Sequence, residues 1–157
     1  MAGVTFRDIT PLLADPDALR TVVDALVDLA HTFGPVDAVL GIEARGFIFA
    51  PAIALALGTG FVPIRKGGKL PASSYTTSYE LEYGSAELEM HRDAIQPGDR
   101  VLVVDDVLAT GGTMLAAADL VEQSGAQVAG NLVVIELEFL GGLERLQPVG
   151  CSALRTY

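Results

Sequence analysis

Apolar residues recur at steps of three and four from Leu19 to Phe33. That spacing predicts an amphipathic helix that buries one face. Asp15 and Pro16, just before the periodic residues, suit an N-cap and a first helical position. A glycine and a proline at 34–35 suit the end of the helix. We therefore expect a surface helix that packs against the core along one side.

Four short apolar runs rich in β-branched residues follow, at 36–42, 61–64, 101–104 and 128–135. Mostly apolar helical patterns lie between them, over 47–57 and 112–124. Strands that alternate with helices form a parallel sheet, because each crossover helix returns the chain to the end of the sheet at which the previous strand began. The unbroken run at 101–104 is typical of a strand buried on both faces. The pattern predicts an α/β fold that binds its ligands at the carboxyl ends of the strands.

Residues 65–78 interrupt this alternation, since they are rich in Gly, Ser, Thr and Lys and show little hydrophobic period. Loops of this length are uncommon in compact domains unless they serve a function. We predict a mobile lid there. Apolar and acidic residues then alternate over 79–83 and 86–90, which predicts a hairpin with one solvated face.

Composition narrows the class of protein. The 157 residues suit a single domain, 1–157, and twenty acidic against ten basic residues give a net charge of −10. This charge disfavours nucleic acids and anionic membranes as partners, although local amides and cations can still hold a small anion. Cys151 is the only cysteine, so a reducing, cytoplasmic location is expected. Neither a membrane span of ~20 apolar residues nor a secretory signal is visible.

The segment 101–113, VLVVDDVLATGGT, is the most informative about chemistry. A buried run delivers Asp105 and Asp106 to the end of a strand, and a loop of small residues then opens a helix. Carboxylates accept hydrogen bonds from vicinal hydroxyls, and amides at a helix N-terminus bind phosphate. The segment therefore suits a phosphorylated sugar. Taken alone, the acidic pair is more often an ordinary strand exit before a helix cap.

In this segment the chain resembles the type I phosphoribosyltransferases, whose signature is a hydrophobic run, two acids and a short loop ending in T-G-G-T. The resemblance implies an α/β fold with a central, mostly parallel sheet, flanking helices and a flexible lid hairpin. It implies that Asp105 and Asp106 hold the ribose hydroxyls. The residues implied to bind the 5-phosphate are Ala109, Thr110, Gly111, Gly112 and Thr113.

Further segments resemble the members of that family that act on adenine. They are FRDI at 6–9, GIEARGFIFAPAIA at 41–54, RKGGKLP at 65–71 and YELEYGSAELEMH at 79–91. The implied reaction transfers the 5-phosphoribosyl group of phosphoribosyl pyrophosphate to adenine, giving AMP and pyrophosphate in purine salvage. Mg²⁺ held mainly by the substrate is the implied cofactor, without a metal site built from protein ligands. A homodimer is the implied assembly.

The resemblance also implies a pyrophosphate loop, formed by Glu43, Ala44 and Arg45. A non-proline cis peptide is expected between the first two of these. Three clustered basic residues would add charge around the pyrophosphate, namely Arg65, Lys66 and Lys69. In such dimers the first of them is often supplied by the neighbouring subunit. From the residues alone, a surface ion pair and a solvated loop stay open as explanations.

The residues implied to border the adenine are Thr5, Phe6 and Arg7. Glu82 would face the base and manage its proton, while Tyr83 and Arg45 would steady the charge that develops during the reaction. From the residues alone, a solvated strand face explains Glu82 equally simply. Few residues precede Phe6, so a shortened base-covering region is expected.

Two other functions stay open. One is a phosphoribosyltransferase for another purine, such as xanthine or hypoxanthine. The other is a non-catalytic regulator that binds phosphoribosyl pyrophosphate. Regulators of that kind usually carry a DNA-binding domain, for which the sequence has neither spare length nor a basic face.

Overall fold

The protein is described by a computed structural model that covers residues 8–80 and 84–157. Five of the predicted site residues lie outside the described part, namely Thr5, Phe6, Arg7, Glu82 and Tyr83. Their roles stay predictions. The remaining predicted site residues are all described.

The described residues form a seven-stranded sheet with helices on both faces. The strands are β1 (Ala38–Ile42), β2 (Gly60–Lys66), β3 (Ser74–Glu80), β4 (Ser85–His91), β5 (Arg100–Leu108), β6 (Gln127–Glu136) and β7 (Ser152–Thr156). The helices are α1 (Thr10–Ala14), α2 (Pro16–His31), α3 (Gly46–Leu57), α4 (Gly112–Gln123) and α5 (Gly142–Arg145), with a 3-10 turn at Glu138–Leu140. No helix in this part of the chain has both the length and the apolar character needed to cross a membrane.

The strand order is β3-β4-β2-β1-β5-β6-β7, and the five strands from β2 to β7 in that order run parallel. The β3–β4 hairpin adds to β2 in the antiparallel sense. After β1 the chain forms β2 on one side of β1, and it later forms β5 on the other side. The switch point therefore lies between β1 and β5, where an open α/β sheet is expected to bind its ligand.

Two apolar cores cover the two faces of the sheet. Val39 and Leu102 belong to the core under α2 and α3, whereas Leu40 and Val103 belong to the core under α4 and the hairpin. Successive residues of β1 and β5 thus point into different cores. This double burial explains why both strands are continuously apolar in the sequence.

The predicted α/β fold and its main helices are confirmed. Asp15 caps α2, because its Oδ1 accepts hydrogen bonds from the amides of Asp17 at 3.0 Å and Ala18 at 2.9 Å. The predicted boundaries of the 65–78 loop are wrong, since Arg65 and Lys66 end β2 and the polar run from Ser74 begins β3. Backbone pairing with β4 gives that polar run a strand conformation despite its weak hydrophobic period.

Strand β5 is longer than the run that predicted it. The strand that contains the apolar run 101–104 continues to Leu108, so Asp105 and Asp106 lie inside the strand and not at its end. Asp105 is paired with Val133 and Val107 with Ile135 on β6. The sequence analysis missed α1, α5 and β7, whose patterns are too short to give a periodic signal.

Candidate active site

Asp105 and Asp106 place two carboxyl groups in the last part of the central strand. The amide of Asp106 donates to Oδ1 of Asp105 at 2.8 Å. Burial, with a smaller contribution from the neighbouring Asp106 charge, raises the pKa of Asp105 to about 8. The raised pKa favours the protonated form of Asp105, in which the carboxyl group can donate a hydrogen bond as well as accept one.

Arg45 lies against the second acid. Its Nε is 2.9 Å from Oδ2 of Asp106, whose side chain is 6% exposed compared with 40% for Arg45. The same Oδ2 is buried and lacks a hydrogen bond of good geometry, although the distance satisfies an ion pair. The contact is therefore electrostatic rather than a directed hydrogen bond. Asp106 keeps the capacity to accept a hydrogen bond from a ligand hydroxyl.

The connection from β1 to α3 brings Ala44 and Arg45 to the acids. The Glu43–Ala44 peptide bond is cis, which confirms the prediction made from the family resemblance. Gly46, the first residue of α3, packs so closely on β5 that an added Cβ would lie 2.6 Å from the carbonyl oxygen of Val104. Only glycine permits this approach. The predicted pyrophosphate loop therefore lies directly beside the acidic pair.

The basic cluster is attached to the same loop through Glu43. Oε2 of Glu43 accepts hydrogen bonds from Nε of Arg65 at 3.2 Å and from the amide of Lys66 at 3.0 Å. The hydrogen bond from the Lys66 amide, with a smaller contribution from the Arg65 side chain, holds the pKa of Glu43 below its usual value. Nη1 of Arg65 also donates to the carbonyl oxygen of Lys69 at 3.4 Å. The carboxylate of Glu43 thus links the predicted pyrophosphate loop to the predicted pyrophosphate cations.

The predicted phosphate loop connects β5 to α4. Gly111 has φ +82° and precedes the first residue of α4, a left-handed conformation that glycine adopts readily. Gly112 and Thr113 then form the first turn of a helix whose N-terminal amides lack helical partners. Such amides, together with the helix dipole, form an anion-binding geometry.

Two residues that the sequence analysis did not single out support this loop. Nη1 of Arg145 donates to the carbonyl oxygen of Thr110 at 2.7 Å. Gly142 packs so tightly that an added Cβ would collide with the carbonyl oxygen of Ala109. The Gly-Gly pair at the start of α5 was the available signal, because a glycine often marks close approach of two backbones. Both contacts involve carbonyl oxygens of the loop and not its amides.

The structure thus brings together the acidic pair, the 43–46 loop and the basic cluster at the switch point of the sheet, and the glycine turn follows β5 at the same edge. Across residues 8–80 and 84–157, no group of three or more His, Cys, Asp or Glu side chains is arranged to hold a metal ion.

This arrangement of sheet, acids and glycine turn is that of a phosphoribosyltransferase. The family model described as the phosphoribosyl transferase domain matches residues 9–141. That match spans the whole of the site described above except Gly142 and Arg145.

Individual relatives and solved structures identify the kind of phosphoribosyltransferase that the chain resembles. An adenine phosphoribosyltransferase of Thermobifida fusca is 57% identical over 98% of this chain and 87% of its own length. A crystal structure of the Thermoanaerobacter pseudethanolicus enzyme of the same name is 44% identical, with a TM-score of 0.94 over 99% of this chain and 90% of its own. The Saccharomyces cerevisiae enzyme, complexed with D-2,5-dideoxy-2,5-imino-altritol 1,6-bisphosphate and adenine, is 41% identical, with a TM-score of 0.90 over 97% of this chain and 88% of its own. This chain belongs to the adenine phosphoribosyltransferase family.

Proposed function

We propose that this protein transfers the 5-phosphoribosyl group of phosphoribosyl pyrophosphate to adenine and releases AMP and pyrophosphate. The observation that carries the proposal is the acidic pair in β5, which lies beside Arg45 and leads directly into the glycine turn of α4. Membership of the adenine phosphoribosyltransferase family supports adenine as the acceptor, and purine salvage as the role.

The described residues provide a partner for each part of the donor. The buried Oδ2 of Asp106 can accept from one ribose hydroxyl, and Asp105 in its protonated form can donate to another ribose oxygen. The 5-phosphate would be bound by the amides and hydroxyls of the turn that ends in Thr113. The pyrophosphate would lie against Arg45 and the exposed side chains of Lys66 and Lys69.

In the reaction, the bond from ribose C1 to pyrophosphate breaks and a bond from C1 to N9 of adenine forms. The sugar carries positive charge in an oxocarbenium-like transition state, while negative charge grows on the leaving pyrophosphate. Arg45 and the basic cluster would stabilise that negative charge because they are in place before the bond breaks. By family resemblance, Glu82 would take the proton of the base and Tyr83 would stabilise the reacting centre, next to a base site formed by Thr5, Phe6 and Arg7.

Mg²⁺ is part of the proposal as a cofactor held mainly by the donor. Mg²⁺ favours oxygen ligands and is commonly bound by one or two carboxylates together with substrate phosphates. The carboxylate of Asp106 fits this chemistry, since it lies beside Arg45 at the site proposed to bind the donor. When bound, the ion would neutralise part of the charge on the leaving group.

A homodimer is also proposed. The support is helix α3, which is apolar almost throughout and exposes Leu55 and Ile48 at the surface of the single chain. The two residues are seven positions apart and lie on the same side of the helix. A cytoplasmic location is proposed as well, because the single Cys151 fits a reducing compartment.

The decisive experiment measures AMP and pyrophosphate formation from Mg²⁺, phosphoribosyl pyrophosphate and adenine. Other purines, including hypoxanthine and xanthine, are run in competition, and preference for one of them would contradict adenine as the acceptor. Replacing both Asp105 and Asp106 with Ala is expected to abolish turnover, because the ribose loses its partners. Circular dichroism of that variant verifies that the fold is retained. Binding of the donor without turnover on any purine would instead indicate a regulator.

A further inference from the structure

Glu89 is an acidic residue that the proposed reaction does not use, yet it is buried. Only 5% of it is exposed, although the alternation along β4 predicted a solvated face. Its Oε1 accepts hydrogen bonds from the backbone amides of Lys69 and Leu70, each at 2.6 Å. Desolvating a carboxylate is unfavourable unless strong hydrogen bonds replace water, and charge-assisted bonds of this length do so. The two amides therefore account for the burial of Glu89.

Those amides belong to the segment that carries the basic cluster, defined here as the basic loop, residues 65–70. The loop begins in β2, where Arg65 pairs with Glu89 across the antiparallel β2–β4 ladder. The amide of Gly67 then donates to the carbonyl oxygen of Glu87 at 2.9 Å. With the two bonds to Glu89, the backbone of the basic loop is attached along β4.

The other side of the basic loop is attached to the pyrophosphate loop. Glu43 accepts from Arg65 and from the amide of Lys66, and Arg65 in turn donates to the carbonyl oxygen of Lys69. A continuous series of contacts thus runs from Glu89 through Lys69 and Arg65 to Glu43. Glu43 precedes Ala44 and Arg45, so the series ends at the candidate pyrophosphate site.

We infer that Glu89 is a positioning residue that holds the basic loop so that Lys66 and Lys69 stay beside the pyrophosphate site. The inference rests on the proposed function, because a pyrophosphate-bearing donor is what requires those cations there. Without the carboxylate, the amides of Lys69 and Leu70 lose their acceptor and the loop gains conformational freedom. Binding the donor would then have to order the loop, which weakens donor binding and leaves adenine binding unchanged.

The kinetic test compares three single variants. Glu89→Ala is expected to raise KM for phosphoribosyl pyrophosphate about tenfold, because hydrogen bonds to a charged acceptor are lost. KM for adenine should stay within about twofold, since the loop does not reach the acceptor site in this proposal. Glu89→Gln keeps a side-chain oxygen for the two amides, so a smaller rise of about threefold is expected. Glu122→Ala, at an exposed position near the end of α4 and outside the contacts of the basic loop, is the control and should leave both constants unchanged.

A second measurement needs no substrate. Hydrogen exchange at the amides of Lys69 and Leu70 should be faster in Glu89→Ala than in the wild type, and unchanged in Glu122→Ala. Unaltered exchange, or an unaltered KM for the donor in a folded and active Glu89→Ala, would overturn the inference. If that variant does not fold, Glu89→Gln provides the same comparison. A wild type that forms no AMP would refute the proposed function, whereas the exchange rates would still decide whether Glu89 anchors the loop.

Discussion

Asp105 carries a titratable group into the central strand β5, and its environment makes the stability of the protein depend on pH. Burial raises the pKa of this carboxyl group to about 8 from an ordinary value of 3.8. The folded chain therefore holds a proton between these two values that the unfolded chain has released. The contribution of this proton to the free energy of unfolding is therefore complete below pH 3.8 and is lost as the pH rises to about 8.

Asp105→Asn should remove this dependence, since an amide does not titrate. Relative to the wild type, the free energy of unfolding of the variant is expected to increase between pH 5 and pH 8, by at most about 1.4 kcal/mol per pH unit. Urea unfolding of both proteins at several pH values measures the difference. Asp93→Asn, at an exposed position, serves as the control and should follow the wild type. A constant difference between Asp105→Asn and wild type would contradict a raised pKa.

At the scale of elements, the site depends on how closely α3 approaches β5. A Cβ at position 46 would lie 2.6 Å from the carbonyl oxygen of Val104 and 3.3 Å from Oδ1 of Asp105. The helix would have to move away from the strand to accept it. Because Arg45 directly precedes the helix, such a movement would also displace Arg45 from Asp106.

Gly46→Ala is therefore expected to lower the free energy of unfolding by roughly 1–3 kcal/mol, the usual effect of overpacking. Donor binding should weaken in parallel, which calorimetry with phosphoribosyl pyrophosphate would measure. Gly60→Ala is the matched control, because an added Cβ at Gly60 meets no atom within 4 Å. Equal stability of the two variants would show that the close approach of α3 is not required.

The central elements could be predicted from the sequence because their signals are periodic and long. The spacing of apolar residues in α2 and the unbroken apolar run of β5 each follow from burial against the cores. The extension of β5 through Asp105 and Asp106 could not be predicted, because charged residues rarely occupy a buried strand. For the same reason, Glu89 was expected on a solvated face. Its burial depends on hydrogen bonds from amides about twenty residues away in the chain, which the pattern of residues does not reveal.

The candidate site was predictable to the extent that it is local in sequence. The acidic pair and the glycine turn are one continuous segment, so the motif itself reveals them. The contact of Arg45 with Asp106 joins the β1–α3 connection to β5 and becomes visible only in the fold. The support that Arg145 gives to Thr110 is likewise a long-range contact without a sequence motif.

At the scale of the whole molecule, the exposed apolar residues of α3 bear on assembly. Leu55 is 81% exposed and Ile48 39% exposed in the single chain, although most of the helix is apolar. Stable protein interfaces remove about 800 Å² from each partner and are apolar at their centre. The face of α3 that carries Leu55 and Ile48 is therefore the expected centre of a dimer interface.

Leu55→Asp should place a charge in that centre and convert the proposed dimer to a monomer at micromolar concentration. Sedimentation velocity or light scattering coupled to gel filtration measures the mass. Phe139→Asp is the control, because Phe139 is also an exposed apolar residue but lies outside α3. A Leu55→Asp variant with the mass of the wild type would exclude α3 as the interface.

In the unliganded protein, the ion pair between Arg45 and Asp106 competes with donor binding, because the same two side chains are proposed to bind the pyrophosphate and the ribose of the donor. While the pair persists, the guanidinium is partly neutralised by the carboxylate that is proposed to hold the ribose. A molecule with only a sugar phosphate or only a pyrophosphate would engage one member of the pair and weaken the attraction between the two. The complete donor satisfies both at once, so the two halves of the donor should reinforce each other's binding.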